Sequence, residues 1–223
     1  MKINLLDIPV FYINMKKDGH KRVYIERQLE DLGFKNITRI NAVEDKANGR
    51  RGLSKSQLMA LSQVSAPFIV LEDDADPNAF KPFIEVPDDA DALYLGNSQW
   101  GLQSSHAGFY LKYKKVEGYP EILRIYNMLS SHAILYLTQD YVNMCIRTTR
   151  YCAEEYLMPM DVPFAMIQRF FNVYAVNDPM FIQKDYEGKM SAAPQFTNKK
   201  LTSYKIRELS DFDPRTMYWD NII

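Results

Sequence analysis

The chain reads as an α/β domain, with a mostly parallel central sheet flanked by helices. Three observations predict this. Short apolar runs alternate with segments of helical periodicity. The clearest run, Pro67-Phe68-Ile69-Val70-Leu71, is apolar throughout, as a strand buried on both faces must be. The chain has 223 residues and a mass of 26.0 kDa, 47% of them hydrophobic and 25% charged, which suits one domain with a sizeable core.

The elements follow in order. Residues 8–14 (Ile-Pro-Val-Phe-Tyr-Ile-Asn) form a short buried strand, and 16–19 a polar turn. Val23, Ile25, Leu29 and Leu32 recur at near-helical spacing, and Gly33 is a stop signal. Residues 37–42 read as a second strand. The polar stretch 45–52 holds two glycines and reads as a loop, after which Ser54 caps a helix carrying Leu58, Met59 and Leu61. Residues 92–96 form a strand followed by a loop over 97–105, and 132–137 another strand. Helices are expected over 139–152 and 161–171, and short strands over 173–176 and 180–183. Beyond Lys184 apolar runs vanish. The division is therefore a catalytic-size domain over 1–183 and a tail over 184–223 that packs on it or forms a lid.

Composition removes several function classes. Twenty-seven basic and 28 acidic side chains leave a net charge of -1, which argues against binding nucleic acid through phosphate attraction. No apolar run approaches the roughly 18 residues of a membrane span, and the first residues lack a signal-peptide pattern, so a soluble cytoplasmic protein is expected. The two cysteines, Cys145 and Cys152, make neither a disulfide framework nor a zinc set. Glycine-rich phosphate loops and an H-e-x-x-H motif are missing, and three histidines (His20, His106, His132) cannot build a histidine-rich metal site.

The strand over 67–71 runs straight into Glu72-Asp73-Asp74-Ala75-Asp76. Residues 72–91 carry eight acids and one lysine. Carboxylates crowded at the end of a buried strand repel one another, and a divalent cation is the common compensation. Oxygen donors suit magnesium or manganese. Open α/β sheets also bind ligands just beyond the carboxyl ends of their strands. Either Glu72-Asp73-Asp74 or Asp74-Ala75-Asp76 supplies the metal pair, and Asp74 belongs to both. The second acidic cluster, Asp88 to Asp91, precedes its strand and reads as structural.

The order of motifs resembles glycosyltransferase family 25, the lipooligosaccharide and collagen galactosyltransferase type. Tyr12-Ile13-Asn14 resembles the opening strand, followed by Lys21-Arg22 and Gln28-Leu29-Glu30-Asp31-Leu32-Gly33. Arg39-Ile40-Asn41-Ala42-Val43 is similar to an Arg-x-x-Ala-Val element, and Ile69-Val70-Leu71-Glu72-Asp73-Asp74 to the acidic motif. Leu93-Tyr94-Leu95-Gly96, Ser131-His132-Ala133-Ile134-Leu135-Tyr136, Pro159-Met160-Asp161 and Pro179-Met180-Phe181-Ile182-Gln183 follow in family order. Ser56-Gln57 departs from the family's Ser-His pair.

The resemblance implies a single GT-A-like (nucleotide-diphospho-sugar transferase) domain. It implies transfer of a hexose, with inversion, from a UDP-linked donor to a hydroxyl of a glycan or protein. Asn14, Arg22, Ala42 and Asp73 would contact the donor. Asp74, with Asp76 or Glu72, would hold Mn2+ or Mg2+. Asp161 is the candidate base, and its alternative role is to cap its own helix. Trp100 and His106 could face the acceptor, since aromatic rings stack on sugar faces. His132 reads as a core histidine. Lys199, Lys200, Lys205 and Arg207, interleaved with Phe196 and Tyr204, suggest a basic stretch closing over the diphosphate. Two alternatives remain open: a non-catalytic nucleotide- or sugar-binding module of the same fold, and a glycosyltransferase acting on a modified DNA base.

Overall fold

The computed structural model describes residues 1–102, 110–151, 161–186, 199–203 and 207–208. Its centre is a nine-stranded sheet. β1 (Lys2–Asn4) lies outside it and pairs with β6 (Phe83–Glu85). β2 (Val10–Asn14) leads through α1 (Gly19–Leu32) to β3 (Ile37–Asn41), and α2 (Gly49–Leu61) precedes β4 (Phe68–Glu72). β5 (Ala75–Pro77) follows at once. β7 (Ala92–Tyr94), β8 (Lys112–Lys115), β9 (Ile122–Ile125) and β10 (Ala133–Tyr136) come next. Then α3 (Gln139–Tyr151), α4 (Asp161–Ile167), β11 (Val173–Val176), β12 (Phe181–Gln183) and β13 (Arg207–Glu208) complete the described strands and α-helices. The large sheet has the order β13-β8-β9-β11-β7-β10-β4-β2-β3, and β12 pairs with β5 separately.

The sheet is mixed, which corrects the expectation of a mostly parallel one. β2 pairs parallel with β3 and β4, β11 with β7, and β13 with β8. β10 runs antiparallel to both β4 and β7, and β9 antiparallel to both β8 and β11. Alternating apolar runs reveal that strands exist, but direction depends on which strand lies beside which. No neighbour is named in the run itself. β8, with the sequence Lys-Tyr-Lys-Lys, escaped the apolar pattern altogether, although Lys112 is buried there.

Period-two alternation explains how one sheet serves two cores. Phe11 and Ile13 of β2, with Phe68 and Val70 of β4, face α2, α3 and α4, among Leu61, Tyr136, Tyr141 and Phe164. Val10, Tyr12, Ile69 and Leu71 face the other way, against Ile25 and Leu29 of α1. Val23, counted in the helical pattern, is 67% exposed and lies off that stripe.

α1 ends as the sequence suggests: Gly33 adopts φ 96°, and its N–H returns to the last turn. α2 starts earlier than expected. Asn48 caps it, its side chain accepting from Arg51 N, and Ser54 sits inside the helix donating to Arg50 O at 3.1 Å. Asp45 makes this early start stable. Its carboxylate accepts from Ala47 N and Asn48 N and pairs with Arg51 Nε at 2.5 Å. Those bonds hold the Asp45 carboxyl down at about 2. A Cβ on Gly52 would lie 2.6 Å from Val43 O, so the helix needs glycine to pack under this loop. A capped glycine pair inside a polar stretch is indistinguishable from a loop until that packing is known.

The second acidic cluster is structural stitching. Asp91 accepts from Thr138 Oγ1 at 2.6 Å and from Asn172 N at 2.8 Å, joining the start of β7 to the segments beside β10 and β11.

Candidate functional site

Because β2, β3 and β4 are mutually parallel, their carboxyl ends meet on one rim. Asn14 ends β2, Ala42 follows β3, and Glu72 ends β4 ahead of Asp73 and Asp74. β10 is antiparallel, so its entry rather than its exit lies on this rim. Ser131 Oγ therefore donates to Glu72 Oε1 at 2.6 Å, and Glu72 N to His132 O at 2.9 Å. The sheet gathers on one edge side chains separated by up to about 120 positions in the sequence.

Between the β2 and β3 ends opens a cleft of about 490 Å³. Ile13, Met15, Ala42, Val43 and Leu53 give it apolar walls, and Lys17, Lys21 and Lys46 line it together with Glu72 and Asp73. Lys17 pairs with Glu44 across the two lips at 3.2 Å. Ser56 supports the wall: its hydroxyl accepts from Val43 N at 2.8 Å and donates to Gly52 O at 2.7 Å. Its neighbour Gln57 is fully buried, and neither atom of its amide finds a hydrogen-bond partner.

Asn14 is the hinge of the polar network. Its Nδ2 donates to Asp73 Oδ2 at 2.7 Å and to Asp18 O at 3.1 Å, while its Oδ1 accepts from Arg39 Nε at 3.0 Å. Ala42 N donates to Asn14 O at 3.0 Å. Lys21 approaches Asp73 Oδ1 at 3.7 Å. Asn14, Ala42 and Asp73, three of the expected donor contacts, are thus brought together. Arg22 is not. It is exposed, pairs with Glu26 one turn along α1 at 3.0 Å, and does not line the cleft. The arginine of this network is Arg39, which the sequence analysis quoted within the Arg-x-x-Ala-Val element but did not place among the site residues.

The carboxylates stand in an unfavourable field. Burial first, and then the Asp74 charge, pushes the Glu72 carboxyl upward; burial and then Asp73 do the same to Asp74. Asp73 is raised by burial, although Asn14 and Lys21 pull it back. Asp161 opens α4, its carboxyl raised by burial and lowered by the amides of Asp161 and Val162. It is close enough to add to the charge felt by Glu72. Its carboxylate thus accepts from amides at the start of its own helix while its charge reaches Glu72 on the acidic rim.

Of the two expected metal pairings, Asp74 with Glu72 or with Asp76, the structure keeps Glu72 beside Asp74 and draws Asp76 away. After Asp74 the chain enters β5, whose pairing with β12 carries Asp76 to α1, where it accepts from the Tyr24 hydroxyl at 2.5 Å. Among the described residues no three His, Cys, Asp or Glu side chains gather in a metal-holding arrangement. What does fit a hard cation is one orphaned atom: Asp74 Oδ1 is buried without a hydrogen-bond partner, with Glu72 and Asp73 alongside.

Of the acceptor candidates, Trp100 lies in the loop after β7, where it bridges to Tyr110 and does not line the cleft; His106 lies outside the described residues. His132 is a core residue, its Nδ1 bonded to Ser130 Oγ at 3.0 Å and its Nε2 to Phe181 O at 3.3 Å. Burial depresses its pKa to about 4, so it is neutral. The basic stretch does not close over the rim at the positions described. Lys200 pairs with Asp178 at 3.6 Å, and buried Leu201 donates its N–H to Asn177 O at 2.8 Å, three strand positions away from β4. Arg207 joins β13 at the far edge of the sheet. Phe196, Tyr204 and Lys205 lie outside the described residues.

No protein-family model matches the chain, and no curated protein matches it. Among solved structures it is similar to a nucleoside-diphosphate-sugar pyrophosphorylase from Vibrio cholerae RC9. Identity is 14% over 77% of this chain and 73% of that one, with a TM-score of 0.42. It is also similar to a UTP-bound UGPase from Acinetobacter baumannii, at 13% identity over 71% of this chain, with a TM-score of 0.38. The match spans 61% of that second protein's length. Likeness at this level assigns neither substrate nor reaction. No helix among the described residues is long and apolar enough to cross a membrane.

Proposed function

We propose that the chain is a metal-assisted inverting glycosyltransferase with a GT-A-like domain, taking a hexose from a UDP-linked donor to a hydroxyl of a glycan or protein. One observation carries the reading. A cleft of about 490 Å³ with apolar walls is lined by Glu72 and Asp73, and the next carboxylate of that turn, Asp74, has a buried oxygen without a hydrogen-bond partner. The ordered motifs of the sequence point the same way.

Each residue then has a task. The walls formed by Met15, Ala42 and Val43 receive the base, and Asp73, oriented by Asn14, accepts from a ribose hydroxyl. Asp74, with Glu72, is the site for Mn2+ or Mg2+. A cation of this kind is commonly held by one or two carboxylates, with substrate phosphates and water completing its shell. When bound, it supplies positive charge to a departing diphosphate. Asp161 accepts the proton of the acceptor hydroxyl as the oxygen attacks the anomeric carbon. The new carbon–oxygen bond forms on the face opposite the leaving group, and the old bond's electron pair leaves with the diphosphate. A raised Asp161 carboxyl makes it a better base than a solvated aspartate.

The test is a thermal-shift and turnover screen of nucleoside diphosphates and nucleotide-sugars, with and without manganese, on the wild type and Asp74→Ala. Metal-dependent stabilisation by one nucleotide-sugar, lost in the variant and accompanied by product when acceptor is added, supports the reading. Stabilisation without any turnover favours a binding module. No stabilisation by any donor removes the donor site.

A further inference from the structure

Two ammonium groups are gathered beside the acidic turn by aromatic rings. Lys184 follows β12, and its N–H donates to Asp74 O at 2.8 Å, which sets it against the turn. Its ammonium lies 3.6 Å from the Tyr24 ring centroid and 5.3 Å from that of Tyr186. The ammonium of Lys21, one turn before Tyr24 on α1, also lies 5.3 Å from the Tyr186 centroid. The two charges are therefore separated by no more than twice that distance. Tyr186 is wedged in place by edge contacts with His20 at 5.8 Å and Tyr24 at 5.9 Å. Asp73, Asp74 and Asp76 all act on its hydroxyl.

An aromatic face attracts an ammonium but satisfies none of its three N–H donors with a full hydrogen bond. Lys184 is half-buried, and among the described residues no carboxylate is within ion-pair reach of it. Its charge is held in position, with no hydrogen-bond acceptor for its ammonium among the described residues. Lys21 is partly engaged by Asp73 at 3.7 Å, a long contact.

We propose that Lys21 and Lys184, gathered on Tyr186, form a subsite for a phosphate or diphosphate group beside Asp73 and Asp74. The inference rests on the reading above only for which molecule brings that group. It is either the diphosphate of the departing nucleotide or a phosphate on the acceptor. The positive charge that the sequence suggested would come from Lys199, Lys200, Lys205 and Arg207 comes, in this proposal, from a lysine of α1 and the first residue after β12. The physical need is plain, because a phosphate approaching this turn meets like charge from its ionised carboxylates.

The experiment is calorimetric titration of the full chain with inorganic pyrophosphate, with and without manganese, in the wild type, Lys184→Met, Lys21→Met and Lys184→Arg. Methionine keeps the stem that covers Tyr24 and removes the charge. Lys184→Met is expected to weaken pyrophosphate about tenfold, the loss of one charge-assisted contact, and Lys184→Arg to retain it. Lys21→Met should weaken it as well, although it also frees Asp73, so Lys184 is the deciding position. UDP losing as much as pyrophosphate while uridine loses nothing identifies the nucleotide as the source. Loss of a hexose phosphate with UDP unaffected identifies the acceptor. The proposal is overturned if wild type binds no pyrophosphate, or if Lys184→Met binds it as wild type does. Failure of sugar transfer leaves this titration unaffected, so the two readings fail separately.

Discussion

Asn14 Nδ2 donates to Asp73 Oδ2 at 2.7 Å, and this one bond couples the end of β2 to the turn that follows β4. Asn14 is 1% exposed, and its other amide atom is held by Arg39. Replacing it with Leu takes one hydrogen bond each from Arg39 and Asp73 in a half-buried site, leaving Arg39 the carbonyl of residue 14 and Asp73 its long contact with Lys21. The expected cost is about 1–3 kcal/mol of stability, with weaker nucleotide binding. Urea denaturation measures the first and calorimetry the second; unchanged stability would show that Arg39 and Asp73 find water instead.

In the role proposed for Asp74, function opposes stability. Its charged form is disfavoured by burial and by Asp73. Asp74→Asn removes that charge and should stabilise the metal-free protein at pH 7.5 by about 1–3 kcal/mol, while abolishing any manganese-induced shift in Tm. A variant less stable than wild type would contradict the electrostatic account of this turn.

Gly96 and His132 form a packing pair. A Cβ on Gly96 would collide with the His132 ring, which is wholly buried and cannot withdraw. Gly96→Ala should destabilise the fold by about 1–3 kcal/mol. In a His132→Ala background the same substitution should cost much less. A double-mutant cycle reads the difference, and strict additivity would rule out the clash.

His132 also gives a pH dependence of known sign. Its folded pKa is depressed to about 4 from 6.5, so the unfolded chain binds the proton more readily. Its stabilising contribution is present above pH 6.5 and is lost as pH falls toward 4, by about 2 kcal/mol between pH 7 and pH 5. The raised carboxyls of Glu72 and Asp74 act oppositely, gaining stability as they take up protons on acidification. The comparison is therefore between wild type and His132→Asn. The difference in unfolding free energy should shrink by that amount on acidification; a constant difference would mean that His132 titrates normally.

Seven of the strands (β2, β3, β4, β7, β10, β11 and β12) and the acidic turn were legible in the sequence, whereas β1, β5, β6, β8, β9 and β13 were not, and the grouping of Asn14, Ala42 and Asp73 was implied only by the resemblance of motifs. Apolar alternation and strand-end acids are local signals, and local signals survive in a one-dimensional string. Gly33 announced the end of α1 for the same reason: a left-handed residue is a property of one position. Strand direction was not legible. Whether β10 enters or leaves the rim depends on its neighbours β4 and β7, and that choice put Ser131 on Glu72. The partners of the charges were decided in the same way. Arg22 found Glu26, Asp76 found Tyr24, Lys200 found Asp178, and Lys184 came to rest on Tyr24. A charged side chain's role depends on what lies within a few ångströms of it, and those neighbours come from distant parts of the sequence that only the folded sheet brings together.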